Sequence, residues 1–121
     1  LALDDKVVNL AGALTLLQSA ALMRKALINF VNDSAPLHLA SAMNAPVCAF
    51  FCSTVTSFGF YPLTDFSRVV EVEGGLYCRP CGKHGFSDCP ENHFRCAYEI
   101  PLMRAVEVYR EALRYRETRS G

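Results

Sequence analysis

The sequence predicts an α/β fold in which a Rossmann-like parallel sheet is flanked by helices. Segments with strand and helix character alternate in the order β-α-β-α-β with short connections, which is the pattern of sheets built through crossover helices. Residues 46–51 form an almost wholly apolar run, typical of a strand buried on both faces. Of the 121 residues, 51% are hydrophobic and 20% are charged. This composition supports a single core and therefore one domain over residues 1–121.

The first two elements are predicted by a β-branched run and a capping sequence. Residues 6–10 predict a strand that ends at Gly12. Thr15 and Gln18 have the spacing of a capping box, in which each side chain accepts a hydrogen bond from the other residue's backbone amide. A helix is therefore predicted to begin near Thr15 and to end at the basic residues 24–25, which suit the negative end of its dipole.

The following elements complete the alternating order. Residues 27–31 predict a second strand, and Pro36 suits the first turn of a helix over residues 37–43. Residues 46–51 are the third strand, and residues 68–72 predict a fourth after an irregular loop.

The last third of the chain combines a loop with a long helix. Residues 73–98, called the cysteine loop below, have no hydrophobic periodicity. A helix is predicted from Pro101, with a polar, frayed tail over residues 114–121. One stripe of this helix carries Leu102, Val106, Tyr109 and Leu113.

Charge and hydropathy exclude several classes of function. The chain carries 12 Lys+Arg against 12 Asp+Glu, so it lacks the basic excess expected of a nucleic-acid-binding protein. No apolar run reaches the roughly 18 residues that span a bilayer, and the first residues do not resemble a signal peptide. The sequence therefore predicts a cytoplasmic protein without a nucleic-acid partner.

The clearest candidate site lies at residues 32–38, between a predicted strand and a predicted helix. Ligands of open α/β sheets bind at the carboxyl ends of the strands, and a helix N-terminus offers free amides to an anion. Asp33 can accept a hydrogen bond from a hydroxyl, Ser34 and the amides after it can hold a phosphate, and His38 lies one turn further. The alternative is that Asp33 or Ser34 caps the helix while His38 packs in the core.

A weaker candidate of the same kind is the turn at residues 10–15. Gly12 allows close approach of a ligand to the backbone, although an ordinary strand-to-helix turn is the alternative.

Several runs in fixed order resemble the C-terminal half of glycosyltransferase family 9, the lipopolysaccharide heptosyltransferases. They are NLAG…TL at residues 9–16, NDSAPLHLASA at 32–42, PV at 46–47 and GFYP at 59–62. The family's N-D-S/T-G-P-x-H-x-A-x-A run is matched at all but one fixed position. The cysteine spacing of residues 78–96 is also similar to that of the family, so the resemblance covers about residues 7–100.

The resemblance implies a GT-B architecture with the active site between two Rossmann-like domains. This chain would be the C-terminal, donor-binding domain of an inverting transferase that needs no metal for catalysis. The general base and the acceptor site would belong to the N-terminal domain, which this chain lacks, so the chain alone would be inactive. The residues implied to lie at the donor are Asp33, Ser34, Ala35 and His38, with Gly12 and Thr15 near the nucleotide.

The resemblance also implies partners and a location. The donor would be a nucleotide sugar, ADP-heptose in the family, and the acceptor a lipid-linked glycan of the lipopolysaccharide core. Such an enzyme would work in the cytoplasm or at the inner face of the inner membrane. The face that the N-terminal domain would cover is expected to favour self-association.

Two residues depart from the family pattern. Ala35 stands where members usually have Gly, which adds a methyl group where backbone approaches phosphate. Ala13 stands where many members have Lys, and loss of a charge-assisted hydrogen bond of roughly 1.5–3 kcal/mol would weaken donor binding. A metal-stabilised interaction domain that has lost transferase activity is therefore the alternative function.

The cysteine loop has its own candidate chemistry. Cys78 and Cys81 form a C-x-x-C pair that can provide two ligands of a tetrahedrally coordinated metal ion, and Cys89 and Cys96 could complete a structural zinc site. Reduced thiols and disulfides are the other interpretations. Nearby aromatic residues are expected to pack in the core rather than to form a lip over a ligand. They are Phe58, Phe60 and Tyr61.

Overall fold

Three parallel strands form the centre of the structure, and helices cover both faces. The structure is a computed structural model and describes residues 5–120. The strands neighbour one another in chain order. The elements are α1 (Leu16–Lys25), β1 (Asn29–Asn32), α2 (Ala35–Ala42), β2 (Val47–Phe51), a 3-10 turn (Thr56–Phe58), β3 (Ser67–Glu71), α3 (Arg95–Tyr98) and α4 (Leu102–Ser120). The predicted α/β class with a parallel sheet is confirmed.

The central strand β2 joins two hydrophobic clusters because successive side chains of a strand point to opposite faces. Val47 and Phe51 are fully buried on one face, where they pack with Leu37 of α2. Cys48 is fully buried on the other face, where it packs with Val108 of α4. The prediction that this strand is buried on both faces is confirmed.

Helix α1 begins as the capping box predicts. The hydroxyl oxygen of Thr15 accepts a hydrogen bond from the Gln18 amide at 3.2 Å, and Oε1 of Gln18 accepts one from the Thr15 amide at 2.9 Å. Arg24 and Lys25 occupy the last turn. The helix thus has both of the end signals that its sequence contains.

The prediction of a strand at residues 6–10 is wrong. This segment forms no strand, and Val7 and Val8 are 53% and 71% exposed. A β-branched run becomes a strand only where a neighbour can pair with its backbone, and no strand within residues 5–120 does so. The described sheet therefore has three strands instead of the predicted four.

Helix α4 buries a different stripe from the predicted one. Val108 and Ala112 are buried, whereas Leu102 is 81% exposed and the rest of the predicted stripe is also exposed. The helix continues to Ser120, so the predicted fraying over residues 114–120 is wrong. The ring of Tyr115 lies 5.0 Å from that of Phe66, which holds this end of the helix against the core. No helix within residues 5–120 is long and apolar enough to cross a membrane.

Candidate functional site

A cavity of about 600 Å³, called the strand-end cavity below, opens beyond the carboxyl ends of β1 and β2. One wall consists of residues 32–35 and His38, where β1 passes into α2. The opposite wall consists of residues 52–55, directly after β2. The cavity lies where the topology of a parallel sheet places ligands, and it contains four of the residues predicted at the donor.

Asp33 is held in this cavity by a residue of the opposite wall. The hydroxyl group of Thr54 donates a hydrogen bond to Oδ2 of Asp33 at 2.5 Å, and the Asp33 amide donates to the carbonyl oxygen of Phe50 at 3.2 Å. Thr54 is only 7% exposed. The carboxylate is therefore fixed across the ends of two neighbouring strands, with its second oxygen left for another partner.

The alternative in which Asp33 or Ser34 caps α2 is not observed. Ser34 occupies the N-cap position, but its side chain makes no capping bond and instead donates to the carbonyl oxygen of Asn32 at 3.4 Å. Pro36 has no amide hydrogen, and the Leu37 amide donates to the carbonyl oxygen of Ser34 at 3.0 Å. Within residues 5–120, the amides of Ser34 and Ala35 have no hydrogen-bond partner. They border the cavity and can receive an anion.

Aromatic side chains form the rim of the strand-end cavity. Phe58 and Phe60 line it and are 40% and 57% exposed. The exposed imidazole of His38 lies 5.9 Å from the Phe60 ring in an edge-to-face arrangement. Tyr61 is also exposed but lies outside the cavity wall. The expectation that these three aromatic residues pack in the core is wrong, because the loop after β2 runs over the surface.

Gly12 and Thr15 do not join the other predicted donor residues. Neither lines the strand-end cavity, and the hydroxyl group of Thr15 is engaged in the cap of α1. Their place near the nucleotide stays a prediction of the resemblance.

The cysteine loop is attached to the wall of the strand-end cavity by Arg79. The guanidinium group of Arg79 donates to the carbonyl oxygens of Cys52 at 2.8 Å and Thr54 at 2.9 Å, and it pairs with the carboxylate of Glu71 at 2.5 Å. Its side chain is only 9% exposed. The loop is therefore fixed to the segment after β2 even though it has almost no regular secondary structure.

The four loop cysteines surround a second cavity of about 240 Å³, called the cysteine cavity. The Phe94 amide donates to Sγ of Cys89 at 3.4 Å, and Nε2 of His93 lies 3.9 Å from Sγ of Cys78. Nδ1 of His93 accepts a hydrogen bond from the Arg95 amide. In the neutral imidazole the ring proton then lies on Nε2, so His93 faces the thiol as a donor.

The thiols differ in acidity because their surroundings differ. Backbone amides that point at its sulfur lower the pKa of Cys89, which favours the thiolate. Burial raises the pKa of Cys96, and it raises that of Cys48 to about 11. All six cysteines are free.

The described side chains around the cysteine cavity are not arranged as a metal site. Within residues 5–120, no group of three or more Cys, His, Asp or Glu side chains is arranged to hold a metal ion. The zinc site at Cys78, Cys81, Cys89 and Cys96 therefore stays a prediction.

Comparison with known protein families identifies a match that covers most of the chain. A family model described as glycosyltransferase family 9 (heptosyltransferase) matches residues 2–87, which is more than half of the chain. The matched span includes both walls of the strand-end cavity and ends inside the cysteine loop. No curated protein and no solved structure gave a significant match.

Proposed function

The chain belongs to glycosyltransferase family 9, and on that premise we propose that it binds the nucleoside diphosphate part of a sugar donor in the strand-end cavity. A glycosyltransferase needs a site that recognises both a phosphate group and sugar hydroxyls. A cavity of about 600 Å³ lies within the range of small-ligand sites.

The observation that carries this proposal is that the Asp33 carboxylate and the unpartnered amides of Ser34 and Ala35 border the same cavity. The unpartnered amides of Ser34 and Ala35 would bind phosphate oxygens at the positive end of α2. Thr54 occupies one oxygen of Asp33, so the other can accept a hydrogen bond from a ribose or sugar hydroxyl. His38 and Phe60 would contact the sugar from the rim.

The identity of the donor is proposed from the family resemblance. ADP-heptose is the donor that the resemblance implies, and Ala35 lines the cavity where the family has Gly. Its methyl group would narrow the space beside a phosphate held by the same residue's amide. We propose a nucleotide sugar as the ligand, with ADP-heptose as the first candidate because it is the donor that the resemblance implies.

Transfer itself is proposed to need a second domain. The general base and a lipid-linked glycan acceptor would face the strand-end cavity from the N-terminal domain of a GT-B enzyme. Holding the donor and the acceptor close together in the reactive orientation accounts for much of the rate enhancement in group transfer. On this proposal, the strand-end cavity supplies the donor site of the transferase, and the second domain supplies the base and the acceptor site.

Calorimetry tests the donor-binding proposal. The chain should bind ADP and ADP-sugars. Asp33→Asn should weaken binding of ADP-glucose by about tenfold, the low end of the roughly 1.5–3 kcal/mol that a hydrogen bond to a charged group contributes, because Asn keeps an acceptor oxygen. Asp88→Asn is the matched control, because Asp88 is exposed and lines the cysteine cavity instead. Absence of any nucleoside diphosphate binding by the unsubstituted chain would contradict the proposal.

The alternative function is a metal-stabilised interaction domain without transferase activity. The observation in its favour is that four cysteines surround one cavity. Metal analysis together with thiol titration decides this point. One zinc ion per chain, with the loop thiols protected from reagent until a chelator is added, supports the zinc site. Four reactive loop thiols with no bound metal contradict it.

A further inference from the structure

We propose that Lys83 of the cysteine loop supplies the positive charge that binds the diphosphate in the strand-end cavity. This inference rests on the proposed function and names a binding residue that sequence motifs did not indicate. Lys83 lies 50 positions after Asp33 in the sequence, yet both line the same cavity.

The charges around the strand-end cavity make Lys83 important. Among the described residues that line it, Lys83 is the only side chain with a permanent positive charge, and Asp33 is the only carboxylate. A nucleoside diphosphate carries at least two negative charges at neutral pH. Without Lys83 the side chains of the wall would present a net negative charge to that ligand, opposed only by the partial charges of two amides.

The position of Lys83 is fixed by contacts on both sides of it. The Cys81 amide donates a hydrogen bond to the carbonyl oxygen of Ser53 at 2.7 Å. On the other side, Gly85 lies against the Ser53 side chain so closely that a methyl group there would come within 2.5 Å of Oγ. Ser53 itself lines the strand-end cavity. Lys83 is therefore near the tip of a short turn whose two ends both contact the cavity wall.

The backbone of this turn explains the glycines that flank Lys83 and His84. Gly82 and Gly85 have φ values of +69° and +77°, in the left-handed region that disfavours side chains. The Arg79 guanidinium ties the start of the same segment to the carbonyl oxygens of Cys52 and Thr54. The exposed ammonium group of Lys83 is thus presented by an anchored backbone.

Titration of ADP and AMP by calorimetry tests the role of Lys83. Lys83→Gln should weaken ADP binding by about tenfold, at the low end for a charge-assisted bond because Lys83 is exposed. AMP binding should weaken less, since AMP lacks the second phosphate. Lys83→Arg should stay within about threefold of the unsubstituted chain. The matched control is Lys25→Gln, because Lys25 is an exposed lysine at the end of α1 and outside this cavity.

A second variant tests whether the position of Lys83 matters, without changing the charge of the chain. Gly85→Ala should push the turn away from Ser53 and weaken ADP binding while circular dichroism shows that the fold is retained. If that variant unfolds, the Lys83→Gln result alone decides whether Lys83 binds the diphosphate.

The outcomes separate this inference from the function on which it rests. If the unsubstituted chain binds ADP and Lys83→Gln binds it equally well, the role of Lys83 is refuted while donor binding stands. Equal weakening of ADP and AMP would also overturn a contact with the diphosphate. If the unsubstituted chain binds no diphosphate, both proposals fail together.

Discussion

Thr54→Val is the most informative perturbation of the strand-end cavity, because it removes one hydroxyl group and keeps the shape of a buried side chain. The lost hydrogen bond ends on the Asp33 carboxylate, and bonds to charged groups contribute about 1.5–3 kcal/mol. Asp33 is half-buried, so water replaces part of the interaction. We therefore expect a loss of about 1.5–2 kcal/mol in the free energy of unfolding, which is a fall of roughly 6–8 °C in Tm at about 4 °C per kcal/mol.

The same substitution should also weaken ligand binding, because Asp33 would no longer be held toward the cavity. Urea denaturation measures the stability change, and calorimetry with ADP-glucose should show a loss of about tenfold in affinity. Thr54→Ser is the matched control, since it keeps the hydroxyl group and should stay within about threefold of the original affinity. If Thr54→Val lowers stability as expected yet binds the ligand with unchanged affinity, the role assigned to Asp33 is refuted.

Three further predictions concern the cysteine loop and the core. Arg79→Gln should lower the free energy of unfolding by about 2–4 kcal/mol in a urea denaturation experiment, because it leaves Glu71 and two carbonyl groups without their buried partner. A loss below about 0.5 kcal/mol would argue against the anchoring role of Arg79. Burial raises the pKa of Cys48 from its ordinary value of 9.0 to about 11. As the pH rises, the Cys48 thiol therefore loses its proton first in the unfolded chain. The free energy of unfolding should be unchanged below pH 9 and fall by about 1–2 kcal/mol toward pH 11. Cys48→Ala should flatten that decline in melting curves measured across this pH range. Iodoacetamide at neutral pH should modify Cys89 before Cys48, because backbone amides lower the pKa of Cys89; the reverse order by mass spectrometry would contradict these environments.

Features that depend on neighbouring residues in the chain were predictable from the sequence. The cap of α1 needs only Thr15 and Gln18, which are three positions apart. The buried strand β2 is predicted by an almost unbroken run of apolar residues. Asp33 could be placed at a candidate site because the rule that ligands bind at the carboxyl ends of parallel strands requires only the order of the elements.

Features that depend on distant pairs were not predictable in the same way. The hydroxyl group that holds Asp33 comes from Thr54, 21 positions later. Lys83 reaches the cavity only because Arg79 and Ser53 fix an irregular loop to the wall. A Lys-His pair between two glycines is a weak signal in a sequence, and nothing local shows which surface it faces.

The errors in the secondary structure have the same origin. Residues 6–10 have the β-branched composition of a strand, but pairing requires a neighbour that their own sequence does not specify. In α4 the apolar residues allow more than one face to be buried. Contacts of Tyr115 and Val108 with the sheet select the face that is observed.

The central claim is that a nucleoside diphosphate binds at the opening of α2, and the most direct test is an NMR titration of the nitrogen-15-labelled chain with ADP. We expect the largest amide shift changes at Ser34 and Ala35, accompanied by smaller changes in the turn that carries Lys83. Changes confined to the cysteine cavity or to residues 10–15, with the Ser34 and Ala35 signals unmoved at saturation, would contradict the account.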